Sequence, residues 1–385
     1  MELTLFLDHA CNLRCDYCYG GRKFTRRMPS AVMKQAVDLA LAERPSLFEV
    51  SFFGGEPLLH PDLIEETLAY VESASARYGL GPGQVRFIMN SNGTLISERA
   101  LAILAPPRRW TTFVSLDGPA AVHNARRVDA QGAGTFDTVV ANLARLRDRR
   151  IPFCLVAVVT PQEARSLGAV VRTLCEQQPE LIMLSPELHA EWNEDAIAGL
   201  RAGLADVNEL WMREFRCGHV VCIEPLHNKI LTHIYEGIPC PERCTLAGRA
   251  FAVAPSGRLY ACAQIIGEDS RDDLVIGTVD TGLDRQRLAE MQRQKDRVEE
   301  TCGPCALRLR CQSHCGCRHL ALTGDLGHIT STLCDIEESF ILAADQMASA
   351  LYAEECPSFM DTYYRQRYHA PVGATLTRLR RPSES

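Results

Sequence analysis

Short apolar runs alternate with longer amphipathic stretches through the first 215 residues of the chain. The runs have the length of buried strands, and the stretches between them repeat apolar residues at helical spacing. Predicted strands cover residues 3–7, 48–53, 85–89, 111–116, 153–159 and 181–184. Predicted helices cover residues 31–43, 61–78, 96–104, 136–149, 163–178 and 194–215. This alternation predicts parallel βαβ units, and therefore an α/β fold whose six units form a partial or closed barrel.

The pattern changes after about residue 215, where periodicity weakens and cysteine becomes frequent. Ten of the 17 cysteines lie between Cys240 and Cys356. This composition predicts a second unit that is organised by metal rather than by a sheet. The predicted boundaries are a barrel over 1–215, a bridging region over 216–243, a cysteine-rich domain over 244–345, and a C-terminal helix and tail over 346–385.

Composition and charge narrow the possible functions. Apolar residues make up 46% of the 385 residues, enough for a sizeable core without disulfides. The net charge of −7, with both signs mixed along the chain, gives no support to nucleic-acid binding. The apolar runs are too short to span a membrane and the N-terminus lacks a secretion signal, so we expect no membrane partner and a cytoplasmic location. In a reducing compartment, this many cysteines indicate metal or redox chemistry rather than a disulfide scaffold.

Three cysteines directly follow the first predicted strand. Cys11, Cys15 and Cys18 have the spacing C-x3-C-x2-C, and thiolates are soft ligands that suit iron–sulfur or zinc sites. Three protein ligands leave one position of a four-iron cluster open for a further ligand. A structural zinc site with His9 as the fourth ligand is the alternative.

The segment CNLRCDYCY, which holds these cysteines and Tyr17, resembles the cluster motif of the radical S-adenosylmethionine (SAM) superfamily. The resemblance implies a partial (β/α)6 TIM-like barrel with its chemistry at the C-terminal ends of the strands. It also implies a [4Fe–4S] cluster whose open iron binds the amino and carboxylate groups of SAM. Reductive cleavage of SAM then yields a 5′-deoxyadenosyl radical that abstracts a hydrogen atom from the substrate.

Polar segments after the next strands resemble SAM-binding segments of the same family. Gly54-Gly55-Glu56-Pro57 matches the GGEP motif, whose glycines allow close backbone approach and whose glutamate holds the amino group of SAM. Arg127 is the predicted partner of the SAM carboxylate, and Arg126 is the alternative. The other predicted SAM-pocket residues are Tyr17, Asn90, Asn92, Ser115 and Asp117.

The later cysteines resemble the seven-cysteine signature of the SPASM domain, a C-terminal extension of some radical SAM enzymes. The resemblance implies two auxiliary [4Fe–4S] clusters, and so three clusters in all. The implied ligands of one cluster are Cys240, Cys244, Cys262 and Cys315, and those of the other are Cys302, Cys305, Cys311 and Cys334. Cys217, Cys222 and Cys317 are alternatives to Cys240, and zinc is the alternative metal.

Enzymes with this architecture mostly modify peptides or proteins. We expect an oxidoreductase that abstracts a hydrogen atom from a ribosomally synthesised peptide and forms a crosslink or a related oxidative modification. The anaerobic sulfatase-maturing branch is one alternative, although Ala263 and Gln264 stand where that branch has an aspartate after its G-x4-C cysteine. Glu187, after the sixth strand, is the candidate base. The chain could also be a small-molecule radical SAM dehydrogenase or epimerase, or a non-catalytic electron-transfer protein.

The implied partners are a precursor peptide or protein and an electron donor of the flavodoxin or ferredoxin type. Many enzymes of this kind carry an N-terminal segment that binds the leader peptide, whereas this sequence reaches its first predicted strand at about residue 3. Leader recognition would fall to a separate leader-binding protein, to the bridging region 216–243 or to the C-terminal tail.

Overall fold

The computed structural model describes residues 1–237, 244, 246, 248–311 and 315–365. Its strands are β1 Glu2–Phe6, β2 Phe48–Phe53, β3 Val85–Ser91, β4 Trp110–Ser115, β5 Cys154–Val159, β6 Leu181–Pro186, β7 Cys222–Glu224, β8 Ala250–Val253, β9 Arg258–Tyr260, β10 Val275–Thr278 and β11 Gly282–Leu283. Its helices are α1 Ser30–Ala42, α2 Pro61–Arg77, α3 Glu98–Leu104, α4 Ala120–Arg126, α5 Phe136–Asp148, α6 Leu167–Glu176, α7 Glu194–Arg216, α8 Leu226–Ile234, α9 Arg285–Asp296, α10 Val298–Cys302, α11 Gly316–Thr323, α12 Ser331–Ala353 and α13 Pro357–Met360.

Strands β1 to β7 lie side by side in chain order and are all parallel. The helices between them cover one face of the sheet, because alternate strand residues such as Val50, Phe87 and Leu155 are fully or almost fully buried in the main core. The intervening residues, such as Asn90 and Ser115, are only half-buried and define the inner face of the open barrel. This arrangement confirms the predicted α/β class and partial TIM-like barrel.

Helix starts follow local side-chain chemistry. Ser97 accepts a hydrogen bond from the Ala100 amide, Asn193 from the Ala196 amide and Thr330 from the Leu333 amide. Each bond satisfies one of the amides that a helix leaves without an internal partner. These caps fix where α3, α7 and α12 begin.

The second half of the chain differs from expectation. Strands β8 to β11 continue the same sheet past β1, and β8 pairs with β1 in parallel register. The prediction that this region lacks a sheet is therefore wrong for residues 250–283. Sequence analysis also missed the short strand β7, whose three residues are too few to show a period.

No helix in the described part of the chain is long and apolar enough to cross a membrane.

Candidate functional site

The three-cysteine loop leaves the C-terminal end of β1, where parallel barrels place their chemistry. Cys11 and Cys18 both lie near enough to Cys15 to raise the pKa of its thiol, after the larger effect of burial, and that pKa is raised to about 11. The Lys23 ammonium lies 2.9 Å from the Cys18 Sγ atom. The structure thus gathers the three predicted ligands and places a cation beside Cys18.

The loop after β2 packs directly against the cysteine loop. The Gly55 amide donates to the Asp8 carbonyl at 2.8 Å, and the Glu56 amide donates to the Ala10 carbonyl at 3.0 Å. A Cβ atom at Gly55 would lie 2.0 Å from that Ala10 oxygen, and Gly54 has a φ of 133°. Only glycine allows this approach, which explains both residues of the motif.

The Glu56 carboxylate is buried beneath the cysteine loop. Its oxygens accept hydrogen bonds from the Leu58 amide at 3.0 Å, the Ser91 hydroxyl at 3.0 Å and the Asn92 amide at 2.7 Å. These donors are neutral, and burial raises the pKa of Glu56 to about 7. A bound ammonium group would supply the missing positive charge. Pro57 follows as the first residue of a short 3₁₀ turn that Glu56 caps.

The segment after β3 joins the same site. The Asn92 amide group donates to the Asn12 side-chain oxygen at 2.9 Å, and Asn12 donates to the Thr94 hydroxyl at 2.8 Å. Asn92 also lies 3.8 Å from the Cys11 Sγ atom. Asn90 instead points along the inner face and donates to the Ser51 hydroxyl at 3.2 Å. The two predicted asparagines therefore differ in role, because only Asn92 contacts the cysteine loop.

Asp117 organises the opposite side of the cysteine loop. Its carboxylate accepts bonds from the Tyr17 hydroxyl, from the Val158 amide at 3.0 Å and from the Arg127 guanidinium at 2.8 and 3.1 Å. Arg127 also lies over the Tyr17 ring, 5.3 Å from its centre. Tyr17, Asp117 and Arg127 thus form one connected group, in which Asp117 and Arg127 are buried and Tyr17 is half-buried. Arg126 instead pairs with Asp16, and Ser115 ends β4 half-buried on the inner face.

Four described cysteines of the second half come together in a chain of sulfur contacts. Cys244 contacts Cys315, Cys315 contacts Cys317, and Cys317 contacts Cys262. Cys240, the predicted fourth ligand, lies outside the described residues. Cys317 is buried among the other three, whereas Cys217 is exposed at the end of α7 and Cys222 lies on β7.

A further group contains Cys302, Cys305 and Cys334. Cys302 and Cys305 lie close enough to Cys334 to raise the pKa of its thiol, after the larger effect of burial. The Cys305 amide donates to the Cys302 carbonyl at 3.0 Å. Cys311 is buried at the end of the same loop. These contacts bring together three of the four predicted ligands of this group.

Tyr19 connects the first cysteine group to the second. About 41% of the Tyr19 residue is exposed, but burial around its hydroxyl raises the pKa of Tyr19, and the nearby thiols of Cys262, Cys18 and Cys317 raise it further. The thiols of both groups therefore lie close to one side chain. Sequence reasoning missed Tyr19 and Lys23, and their positions beside Cys18 were the only signal that the sequence carried.

Glu187 lies just after β6, at the end of the barrel that carries the site. Its carboxylate accepts a hydrogen bond from the His189 amide at 2.9 Å, and its carbonyl accepts one from the Trp192 indole at 2.8 Å. These are local bonds that shape the loop, and both partners lie within five residues of Glu187. The structure therefore gives Glu187 a local role and does not bring it together with the cysteine loop or Glu56 through these bonds.

The donor sets fit the implied groups. Three gathered thiols suit an iron–sulfur cluster with one open iron. The Glu56 carboxylate is buried next to the close backbone approach at Gly55, and its hydrogen-bond donors are all neutral. Such a carboxylate suits an ammonium group such as that of the amino acid part of SAM. The remaining two cysteine groups offer soft ligands of the same kind.

Comparisons with known proteins agree with this geometry. The Radical SAM superfamily matches residues 7–173. The serine-type anaerobic sulfatase-maturating enzyme of Klebsiella aerogenes is 27% identical over 338 residues, which cover 82% of this chain and 79% of that protein. The PqqA peptide cyclase of Gluconobacter oxydans is 24% identical over 348 residues, which cover 87% of this chain and 90% of that protein. The solved structure of native anSMEcpe with bound AdoMet has a TM-score of 0.75 at 21% identity and covers 91% of this chain and 99% of that chain, so it shares the fold.

Proposed function

Because the chain carries a radical SAM domain over residues 7–173, we propose that it is a maturase that takes a hydrogen atom from a ribosomally synthesised peptide and completes a two-electron oxidation. The observation that carries the proposal is the spatial link between the three-cysteine loop and the second cysteine group through Tyr19. The names of relatives such as the PqqA peptide cyclase support a peptide substrate.

The chain's own residues prepare the first half of this reaction. Cys11, Cys15 and Cys18 would hold the SAM cluster, and Glu56 would hold the SAM amino group under the glycine turn. Tyr17, Asp117 and Arg127 would form a hydrogen-bonded wall against which the rest of SAM is oriented. When bound, the cluster and SAM supply hydrogen-atom abstraction, which the protein directs by position and by excluding water.

The cysteines of the C-terminal region account for the second half of the reaction, in which the substrate radical is oxidised. A crosslink or a desaturation removes two hydrogens in total, whereas abstraction removes one hydrogen atom. The other leaves as a proton and an electron, and the electron needs an acceptor. We assign that role to two auxiliary [4Fe–4S] clusters, the nearer one bound by Cys244, Cys262 and Cys315 with Cys317 or Cys240 as fourth ligand. An external flavodoxin or ferredoxin type of protein would exchange electrons with them.

Sulfatase maturation is the second candidate, because several relatives carry that name. The residues after Cys262 do not favour it. Ala263 and Gln264 are not carboxylates. The next two acids are already engaged, since Glu268 forms a two-point ion pair with Arg22 and Asp269 accepts from the Tyr260 hydroxyl at 2.7 Å. A base for that reaction would have to come from elsewhere.

The test is coexpression with a candidate precursor peptide under anaerobic conditions. We expect a product about two hydrogens lighter per modification, and deuterium transfer from the labelled peptide into 5′-deoxyadenosine. A matched variant with Cys11, Cys15 and Cys18 replaced by alanine should make neither. If deuterium is transferred from a labelled sugar but not from any position of the peptide, the enzyme acts on small molecules and the proposal is wrong.

A further inference from the structure

Three potential metal ligands outside the proposed machinery meet on the last strand of the barrel. Cys222 and Glu224 lie on β7, and His227 lies in the first turn of α8. The Cys222 sulfur, a Glu224 carboxylate oxygen and a His227 ring nitrogen all lie within 4.8 Å of one another. All three residues are buried. Three ligand types at such mutual distances can bind one metal ion.

The group lies on the inner face of the barrel. Ile223, between the two β7 ligands, packs into the main core, so Cys222 and Glu224 project to the other face. The strand register connects Glu224 to Met183, Met183 to Val156 and Val156 to Ser115. Glu224 therefore lies at the same level of the inner face as Ser115, which is predicted to border the SAM pocket.

The Glu224 carboxylate is buried with a hydrogen-bond partner for only one of its two oxygens among the described residues. Only 8% of the residue is exposed, and one oxygen accepts from the Asn228 amide at 3.2 Å. The other oxygen has no hydrogen-bond partner among the described residues. The nearest cation, Lys229, is itself committed, because its ammonium lies 2.6 Å from Glu337 and 3.0 Å from the Arg310 carbonyl. An ionised carboxylate buried in this way is costly unless it binds a cation or takes up a proton.

His227 is oriented by a partner outside the group. Its Nδ1 atom lies 2.7 Å from the Tyr363 hydroxyl, and the two rings are 5.3 Å apart. Histidines that bind metals commonly have the second ring nitrogen fixed by such a hydrogen bond. This contact assigns Nε2 to the ion.

We propose that Cys222, Glu224 and His227 bind one zinc ion on the inner face of the barrel. The mixture of one sulfur, one nitrogen and one oxygen donor suits zinc, whereas calcium and magnesium take oxygen ligands and a four-iron cluster takes thiolates. Three protein ligands leave the fourth tetrahedral position open, as in zinc sites that bind water or a substrate group. The site is independent of the cysteine groups assigned to iron, and it stands whether or not the peptide proposal holds.

The first test uses the wild-type, full-length protein with its clusters reconstituted anaerobically and then exposed to zinc. We expect about one zinc per chain, and X-ray absorption at the zinc edge should show one sulfur at about 2.3 Å with nitrogen and oxygen neighbours at about 2.0–2.2 Å. This readout does not respond to iron. Zinc surrounded by four sulfurs would place it in a cysteine group, and that result or the absence of bound zinc would overturn the proposal.

The second test uses variants. Glu224→Gln and Cys222→Ser should weaken zinc binding by at least about 100-fold, since changes in the supporting shell alone cost about 10- to 100-fold. Iron content should stay unchanged in Glu224→Gln, which also shows that this variant folds. The matched control is Cys154→Ser. Cys154 is a buried cysteine that lies across the sheet from Cys222, since both pair with Leu181, but it is outside the ligand group. Equal zinc affinity in the control and in both variants would contradict the assignment.

Discussion

Arg127 and Asp117 form a two-point ion pair, with guanidinium to carboxylate distances of 2.8 and 3.1 Å, and both side chains are almost completely buried. The pair lowers the pKa of Asp117 against the opposing effect of its burial. Arginine has five N–H groups, so this pairing leaves others for a second anion. The predicted contact between Arg127 and the SAM carboxylate is compatible with the pair, and Asp117 becomes the residue that positions the arginine.

Asp117→Asn should therefore destabilise the protein strongly. The substitution leaves a buried guanidinium without its counter-charge, and we expect the free energy of unfolding to fall by about 3–5 kcal/mol. Denaturant titration under anaerobic conditions measures it. Asp16→Asn, which breaks the more exposed pair with Arg126, should cost less than about 1 kcal/mol. A similar loss in free energy of unfolding in the two variants would show that the buried ion pair contributes no more to stability than the exposed one.

The affinity for SAM should rise with pH. Burial raises the pKa of Glu56 to about 7, above its ordinary value of 4.5. Its contribution to the stability of the SAM-free protein is therefore complete below about pH 4.5 and is lost as the pH rises through about 7. An ammonium ligand favours the ionised carboxylate, so SAM binding should strengthen about eightfold between about pH 5.5 and pH 6.5.

Equilibrium binding of SAM at several pH values checks this expectation. Glu56→Gln should bind weakly and without the pH dependence, while Glu65→Gln, on an exposed pair with Arg99, should behave like the wild type. The α-amino group itself titrates only at about pH 7.7–8, above this range. A pH dependence retained by Glu56→Gln would assign it to another group.

Gly55→Ala should disrupt the first cluster without a change of charge. The added methyl group would lie 2.0 Å from the Ala10 carbonyl oxygen, next to Cys11, so the cysteine loop must move. Iron analysis should show a loss of about four irons per chain, and 5′-deoxyadenosine production should fall at least about 100-fold. Gly83→Ala is the matched control, because nothing lies within 4 Å of its added atom. Full iron content in Gly55→Ala would show that the loop accommodates the methyl group.

Cys317→Ala decides the fourth ligand of the second cysteine group. Cys317 contacts both Cys262 and Cys315, so we expect about four irons fewer per chain, or a cluster that is lost on brief exposure to a chelator. Cys175→Ala, on helix α6, should keep all its iron. If Cys317→Ala keeps its iron content and Cys240→Ala loses about four irons per chain, Cys240 is the fourth ligand.

Much of the barrel could be predicted because its signals are local. Strand β2 has the predicted bounds, and α2 ends one residue early at Arg77, since strong periodicity and a proline start define these elements. Strands β8 to β11 were missed because they are two to four residues long, and only β8 pairs with a strand of the barrel, β1. Strands this short have too few residues to show a periodic signal.

The candidate site shows the same division. Motif spacing identified Cys11, Cys15, Cys18 and Glu56, whose neighbours in the chain form the pattern. The contacts of Cys317 with Cys262, and of Tyr19 with both cysteine groups, join residues far apart in sequence. No spacing rule predicts such contacts. They depend on strands β8 to β11 lying beside β1 in the same sheet.

The pairing of β8 with β1 has a consequence for how electrons travel. Cys11 follows β1, and Cys262 follows β9, the hairpin partner of β8, so both ligands are carried by one hydrogen-bonded sheet. A hinge between them would have to break that ladder. With the two proposed clusters bound, the backbone would set the tunnelling distance between them, and their reduction potentials rather than the docking of two modules would govern the rate of electron transfer.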